Sequence, residues 1–213
     1  MADARGGAPI LSADGLRKVF SSRRRRFLKV EETDVTAVHD ASFQIEAGEV
    51  VGLVGESGCG KTTVARILML LEAPTRGEIR LDGALVRTDD RKMLNRYRRA
   101  VQMVFQDPYA SVNPRMTVEE IVEEPLRLQR PYLDRKRRQA IVANRLDEVS
   151  LSMRDRAKRA DEFSGGQLQR IGIARALVLD PQVLICDEPV SALDVSIQAQ
   201  VLNLLAEIRE RRG

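Results

Sequence analysis

The eight residues Gly55-Glu56-Ser57-Gly58-Cys59-Gly60-Lys61-Thr62 bring three glycines, a primary amine and two hydroxyls together, a set that suits a polyphosphate. Glycines let the main chain curl until successive N–H groups point inward, and a helix opening at the loop's end adds the positive potential of its N-terminus. Lys61 then pairs with the β- and γ-phosphates, Thr62 offers its hydroxyl to Mg²⁺, and Thr63 reaches the α-phosphate side. Glu56, Ser57, Gly58 and Cys59 form the loop wall, with Cys59 a small residue at a turn position. A chance glycine-rich turn with this pattern is expected in fewer than roughly one chain in a hundred.

Val183-Leu184-Ile185-Cys186-Asp187-Glu188 is an apolar run that ends in two carboxylates. In a parallel sheet such a run places both acids at the C-terminal edge, where ligands bind. Asp187 would hold Mg²⁺ through its water shell and Glu188 would polarise an attacking water. Taken alone, the pair would more readily cap the turn before Pro189; the glycine-rich loop elsewhere in the chain turns the reading toward phosphate chemistry. Phe163-Ser164-Gly165-Gly166-Gln167 precedes another helical pattern and offers a second set of N–H groups. One nucleotide has no need of two cradles in one subunit, so the second is read as closing on a nucleotide held by a partner. That implies a head-to-tail pair with two composite sites; as an isolated motif, the segment would be an ordinary helix cap.

Elements must position these residues. Thr36 to Glu46 alternates like a half-buried strand, and Val50, Val51, Leu53 and Val54 form a continuous run expected to be a strand covered on both faces. A helix is predicted from Lys61 to about Leu71, ending before Ala73-Pro74 because the residue before proline is pushed out of helical geometry. Strands are predicted at Leu16–Phe20, Glu78–Leu81, Val101–Phe105 and Val183–Cys186, with a polar helix near Asp90–Arg99. From Thr117 to Gln129 and from Asp134 to Leu151 apolar residues fall at helical spacing, which reads as a helical lobe at about 107–163 inside an α/β core. Helices follow Ser164 and begin again near Val195.

The ordered set of Gly55–Thr62, Gln106, Ser164 to Gln167, Asp187-Glu188 and Ser191-Ala-Leu-Asp194 resembles an ABC ATPase over essentially the whole chain. Met103-Val-Phe-Gln-Asp-Pro-Tyr-Ala-Ser-Val-Asn-Pro-Arg115 and Asp187-Glu-Pro-Val-Ser-Ala-Leu-Asp-Val-Ser-Ile-Gln-Ala-Gln-Val-Leu-Asn203 are similar to the oligopeptide/dipeptide and nickel importer ATPases of bacteria, as is the extended segment between Phe20 and Val38. The resemblance implies an α/β fold in which a P-loop NTPase core with a mostly parallel sheet carries an antiparallel β subdomain and the helical lobe, with 1–213 a single domain. Glu188, Gln106 and Lys61 would be catalytic, with Gln106 joining Mg²⁺ and the attacking water. Asp194 would lie at the dimer seam near the partner's P-loop, and Phe20 would stack on adenine; a buried apolar residue at the end of its strand is at least as good a reading of Phe20. The implied cofactors are ATP and Mg²⁺. The implied partners are a second ATPase subunit (a sibling in preference to an identical copy), two transmembrane permease subunits and, indirectly, an extracytoplasmic substrate-binding protein. The expected location is the cytoplasmic face of the inner (plasma) membrane.

Composition fits that expectation. With 43% hydrophobic and 31% charged residues the chain can bury a core, and no apolar stretch approaches the roughly 20 residues of a spanning helix. Two cysteines, Cys59 and Cys186, argue against a disulfide framework. The net charge of +4 gathers in runs such as Arg23–Arg26 and Arg135–Arg138, but aromatics amount to 4% and do not interleave with them, so no nucleic-acid partner is expected. The family's switch histidine lies on a strand beyond the helix after the Asp-Glu pair. Here 213 − 188 = 25 residues follow Glu188, and the one histidine, His39, precedes the P-loop. The resemblance therefore implies a domain incomplete at its C-terminus that binds ATP and hydrolyses it poorly. The alternatives are a soluble ABC-type ATPase acting on nucleic acid or ribosomes, and an inactive truncated remnant.

Overall fold

The computed structural model describes residues 8–26 and 29–212, with the main chain alone over 22–26 and 29–32; the side chains of the arginine run at 23–26 lie outside the described residues. The chain forms two compact units, 1–94 and 95–213.

In the first unit, β1 (Leu11–Arg26), β2 (Lys29–Ile45), β3 (Arg76–Leu81) and β4 (Ala84–Leu85) form an antiparallel sheet in the order β2-β1-β3-β4. The expected alternation from Thr36 is present: Val38 is buried, and along Ala41, Phe43 and Ile45 half-buried residues alternate with exposed ones. His39 is an exposed strand residue. Helix α1 (Lys61–Leu68) packs on β2 and buries Val64, Ala65, Ile67 and Leu68. It ends earlier than expected, since the chain turns through Leu70 at φ 56 well before Pro74.

The run Val50–Val54 is a correction. It forms no strand, and Val50, Leu53 and Val54 are 70%, 53% and 92% exposed. Strand propensity records fit to a pleated, half-buried surface, whereas a strand exists through hydrogen bonds to a neighbour. Among the described residues this run has no ladder partner. Among the described residues, parallel pairing is accordingly found in the second unit, where β5 (Val101–Val104) lies beside β6 (Val183–Cys186) with Val101 opposite Val183 and Val104 opposite Cys186.

Helix α2 (Arg91–Ala100) leads into β5, and the Asp90 carboxylate accepts from the amides of Lys92 and Met93 at its start. The helical lobe is α3 (Val118–Gln129) and α4 (Arg135–Glu148). Thr117 and Glu120 close a reciprocal capping box on α3, and the hydrogen bonds from Thr117 hold the Glu120 carboxyl below its usual range. Asp134 caps α4. Then α5 (Gly165–Leu177) and α6 (Val195–Arg212) complete the unit. Its apolar core joins Val122, Leu126, Val142 and Leu146 of the lobe to Ile171, Ile173, Leu177, Val201 and Leu204. Burial opposes ionisation of Glu148, yet Arg212 and Arg145 hydrogen bond to it and keep its carboxyl below the usual range, which ties the end of α6 to α4. No helix among the described residues is long and apolar enough to cross a membrane.

Candidate functional site

In the first unit, the glycine-rich loop ends at Gly60, which caps α1 in the left-handed region at φ 101 and ψ 5, with no side-chain cap. A Cβ there would stand 2.2 Å from the Ala37 carbonyl oxygen on β2, so conformation and space both demand glycine. Gly60 thus brings no side-chain cap to the start of α1, where an incoming anion would meet the positive end of the helix. The Lys61 ammonium folds over the loop, donating to Gly55 O at 2.8 Å and Glu56 O at 2.9 Å, and lies 3.9 Å from Cys59 Sγ. Cys59 fills the turn: its sulfur is 2.5 Å from where a Gly55 side chain would begin. Glu56, Ser57, Gly58 and Cys59 are exposed, Thr62 is exposed and Thr63 half-buried on the first turn of the helix. A cation and two threonine hydroxyls at a helix start that has no side-chain cap fit a polyphosphate and the hydroxyl share of a Mg²⁺ shell.

Phe20 lies on β1 opposite Val35 and is 40% exposed, which corrects the buried alternative. Lys18 Nζ sits 4.8 Å from its ring centroid, so a cation covers one face.

In the second unit, β5 and β6 run parallel, so the residues just beyond both emerge at the same edge. Gln106 follows β5 and Asp187-Glu188 follows β6. Gln106 Nε2 donates to Glu188 Oε2 at 2.9 Å and to Ser191 Oγ at 3.3 Å. The Asp187 amide donates to Val104 O. Glu188 itself adopts φ 45, in the left-handed region that costs a non-glycine residue about 1 kcal/mol or more. The Ser191 amide and hydroxyl both donate to the Glu188 carbonyl at 3.1 Å and hold that bend. The turn reading of the two acids is thus partly right: the main chain does turn here, and the turn presents the Glu188 carboxylate to Gln106.

Ser164 caps α5. Its hydroxyl accepts from the Gln167 amide, while the Gln167 side-chain oxygen accepts from the Ser164 amide at 3.0 Å and hydroxyl at 3.2 Å. By helix geometry the amides of Gly165 and Gly166 have no acceptor within α5. Gly166 has no room for a side chain, since a Cβ would meet Ile197 Cγ2 at 2.5 Å. Asp194 is exposed, and its carbonyl accepts from Ile197 and Gln198 at the start of α6.

The sequence pattern described as ABC transporter matches residues 38–191. The chain belongs to the ABC transporter family. Its curated relatives include the putative oligopeptide transport ATP-binding protein YkfD of Bacillus subtilis, 46% identical over 96% of this chain and 60% of that protein. The oligopeptide transport ATP-binding protein OppF of B. subtilis is 51% identical over 84% of this chain and 59% of its own. The dipeptide transport ATP-binding protein DppF of Haemophilus influenzae is 41% identical over 99% and 64%. The chain therefore spans about 60% of the length of these relatives. Among solved structures, the ATP-binding cassette MJ0796, a dimer in a post-hydrolysis state bound to ADP and Pi, superposes with a TM-score of 0.79 at 30% identity, covering 95% of this chain and 84% of that one.

In this ABC transporter chain the motifs singled out in the sequence lie at the ends of strands or the starts of helices. Gln106, which the resemblance alone singled out, meets Glu188, and Lys61 meets its own loop. Three residues that brace these positions carry no reading of their own in the sequence. Ser191 was quoted only as part of a motif, although a hydroxyl three residues after Glu188 is well placed to brace a turn. Tyr109 against Gly165 and Gln169 behind Phe105 carry no local signal, because only the packing of α5 on that loop reveals them.

Proposed function

We propose that this chain binds and hydrolyses ATP to energise an importer of oligopeptides or dipeptides. The observation that carries the reading is the Gln106–Glu188 contact of 2.9 Å at the C-terminal edge of β5 and β6, in a chain whose relatives are named for peptide transport. Lys61, the loop amides and Thr63 take the triphosphate, and Phe20 offers a ring face to the adenine. Thr62, Gln106 and Asp187 would hold Mg²⁺, which when bound neutralises charge on the β- and γ-phosphates. Glu188 accepts a proton from the attacking water, and Gln106 orients that water against it. Ser164, Gly165, Gly166 and Gln167 close on the nucleotide of a second ATPase subunit, with Asp194 at the seam, in one continuous ATPase domain. Dimeric cassettes such as MJ0796 support that pairing. Two transmembrane permease subunits, fed by an extracytoplasmic binding protein, would receive the movement at the cytoplasmic face of the membrane. Of the possible pairs, a heterodimer of sibling subunits is the favoured one.

Glu188→Gln tests the assignment. Phosphate release should fall by about 100-fold or more, ATP affinity should persist, and an ATP-bound dimer should accumulate in size-exclusion chromatography. Undiminished phosphate release would remove Glu188 from the chemistry.

A further inference from the structure

Helix α5 grips the loop that follows β5 at three points. Gln169 Nε2 donates to the Phe105 carbonyl oxygen at 3.5 Å. The Tyr109 ring lies against Gly165, close enough that a Cβ there would stand 3.3 Å from the hydroxyl. Arg175 donates to Ser111 O and to Glu124 Oε2, both at 2.8 Å. Gln169 is the unusual member. It is the polar side chain that the core closes over among the described residues, at 1% exposure, amid Leu168, Ile171 and Ile173 on its own helix. A polar group is placed there at a cost unless it is hydrogen-bonded.

The carbonyl it holds belongs to the peptide plane shared by Phe105 and Gln106. That plane is rigid, so fixing the Phe105 oxygen fixes the amide from which Gln106 departs. The Gln106 side chain then spans to Glu188. A chain of contacts therefore runs from α5, whose first residue follows Ser164, to the carboxylate at the sheet edge.

We propose that Gln169 is a positioning residue: by holding the Phe105 carbonyl from within the core, it aims the Gln106 amide at Glu188. The inference rests on the reading of Gln106 and Glu188 as the hydrolytic pair. A shift of α5, which carries the Ser164–Gln167 segment, would pass to Gln106 through Gln169 without any contact between that segment and Gln106.

Gln169→Met keeps the length and removes the donor; Gln169→Asn keeps the amide and falls short of the carbonyl, and serves if the first variant does not fold. Hydrogen exchange of amides 105–111 should quicken by about 10-fold while the exchange of α5 and the melting temperature stay close to wild type. The turnover number should drop by about 10-fold with KM for ATP unchanged, and in a Gln106→Ala background the same substitution should cost nothing further. Wild-type exchange over 105–111, or turnover losses that simply multiply, would overturn the proposal. If the wild-type protein releases no phosphate, the hydrolytic reading fails, and the exchange measurement still decides whether Gln169 holds the loop.

Discussion

Two helix starts in this molecule are rich in glycine, and they are finished in opposite ways. Helix α1 opens on Gly60, bare of any side-chain cap, with the Lys61 ammonium drawn across the loop by two carbonyls. Helix α5 opens on Ser164, where hydroxyl and Gln167 amide satisfy one another. A start without a side-chain cap, beside its own cation, suits an anion at the helix N-terminus, whereas a self-capped start is complete without one. On the reading proposed above, the first is the primary phosphate cradle and the second a preformed surface that adds contacts to a nucleotide held by a partner.

The sharpest way to break this contrast is at Lys61. Lys61→Met removes the only cation that the loop itself contributes and leaves the helix start intact. ATP turnover should fall by about 100-fold or more, the scale for losing a group that stabilises transition-state charge, with the melting temperature little changed because the ammonium's contacts, two carbonyls and the Cys59 sulfur, are all exposed. A variant with near-normal turnover would mean that the bare helix start suffices, and the difference between the two helix starts would lose its meaning.

Gly166→Ala probes the other side. Alanine favours helix over glycine by about 1 kcal/mol, but the new methyl would meet Ile197 Cγ2 at 2.5 Å, a branch fixed close to its own backbone. Overpacking of that kind costs about 1–3 kcal/mol, so net destabilisation is expected in thermal melts. Adding Ile197→Ala should recover much of the loss, since it removes the opposing methyl. Recovery would show that Gly166 is a packing requirement between α5 and α6.

The contrast was only half legible in the sequence. Helix starts at Lys61, Thr117, Asp134 and Ser164 were readable because caps and glycines act within four residues. Gln106 was legible only through the family resemblance, because its contact with Glu188 depends on β5 and β6 lying side by side. Val50–Val54 misled, because its composition says what a strand would be made of and nothing about whether a neighbour is there to pair with it. Gln169 was invisible for a related reason: a glutamine in a helix looks solvated until the packing of the Phe105 loop encloses it.

The smallest effect separates the two roles of the α5 cap. Ser164→Ala removes the hydroxyl that accepts from the Gln167 amide and should cost about 1 kcal/mol, which for a chain of this size lowers the melting temperature by about 2–4 °C. Ser164→Gly should cost only a few tenths of a kcal/mol in the cap, yet it removes the same hydroxyl from any partner's phosphates. If the helix start serves only its own helix, ATP-driven dimerisation measured by light scattering should follow stability, with the alanine variant impaired and the glycine variant nearly normal. If the preformed surface completes a second subunit's site, both variants should weaken the dimer alike, by about 10-fold for one lost hydrogen bond to a charged group. The equal loss is the expected result, because the cap bond from Gln167 occupies one lone pair of the hydroxyl oxygen and leaves its proton free to turn from Gln167 to a phosphate.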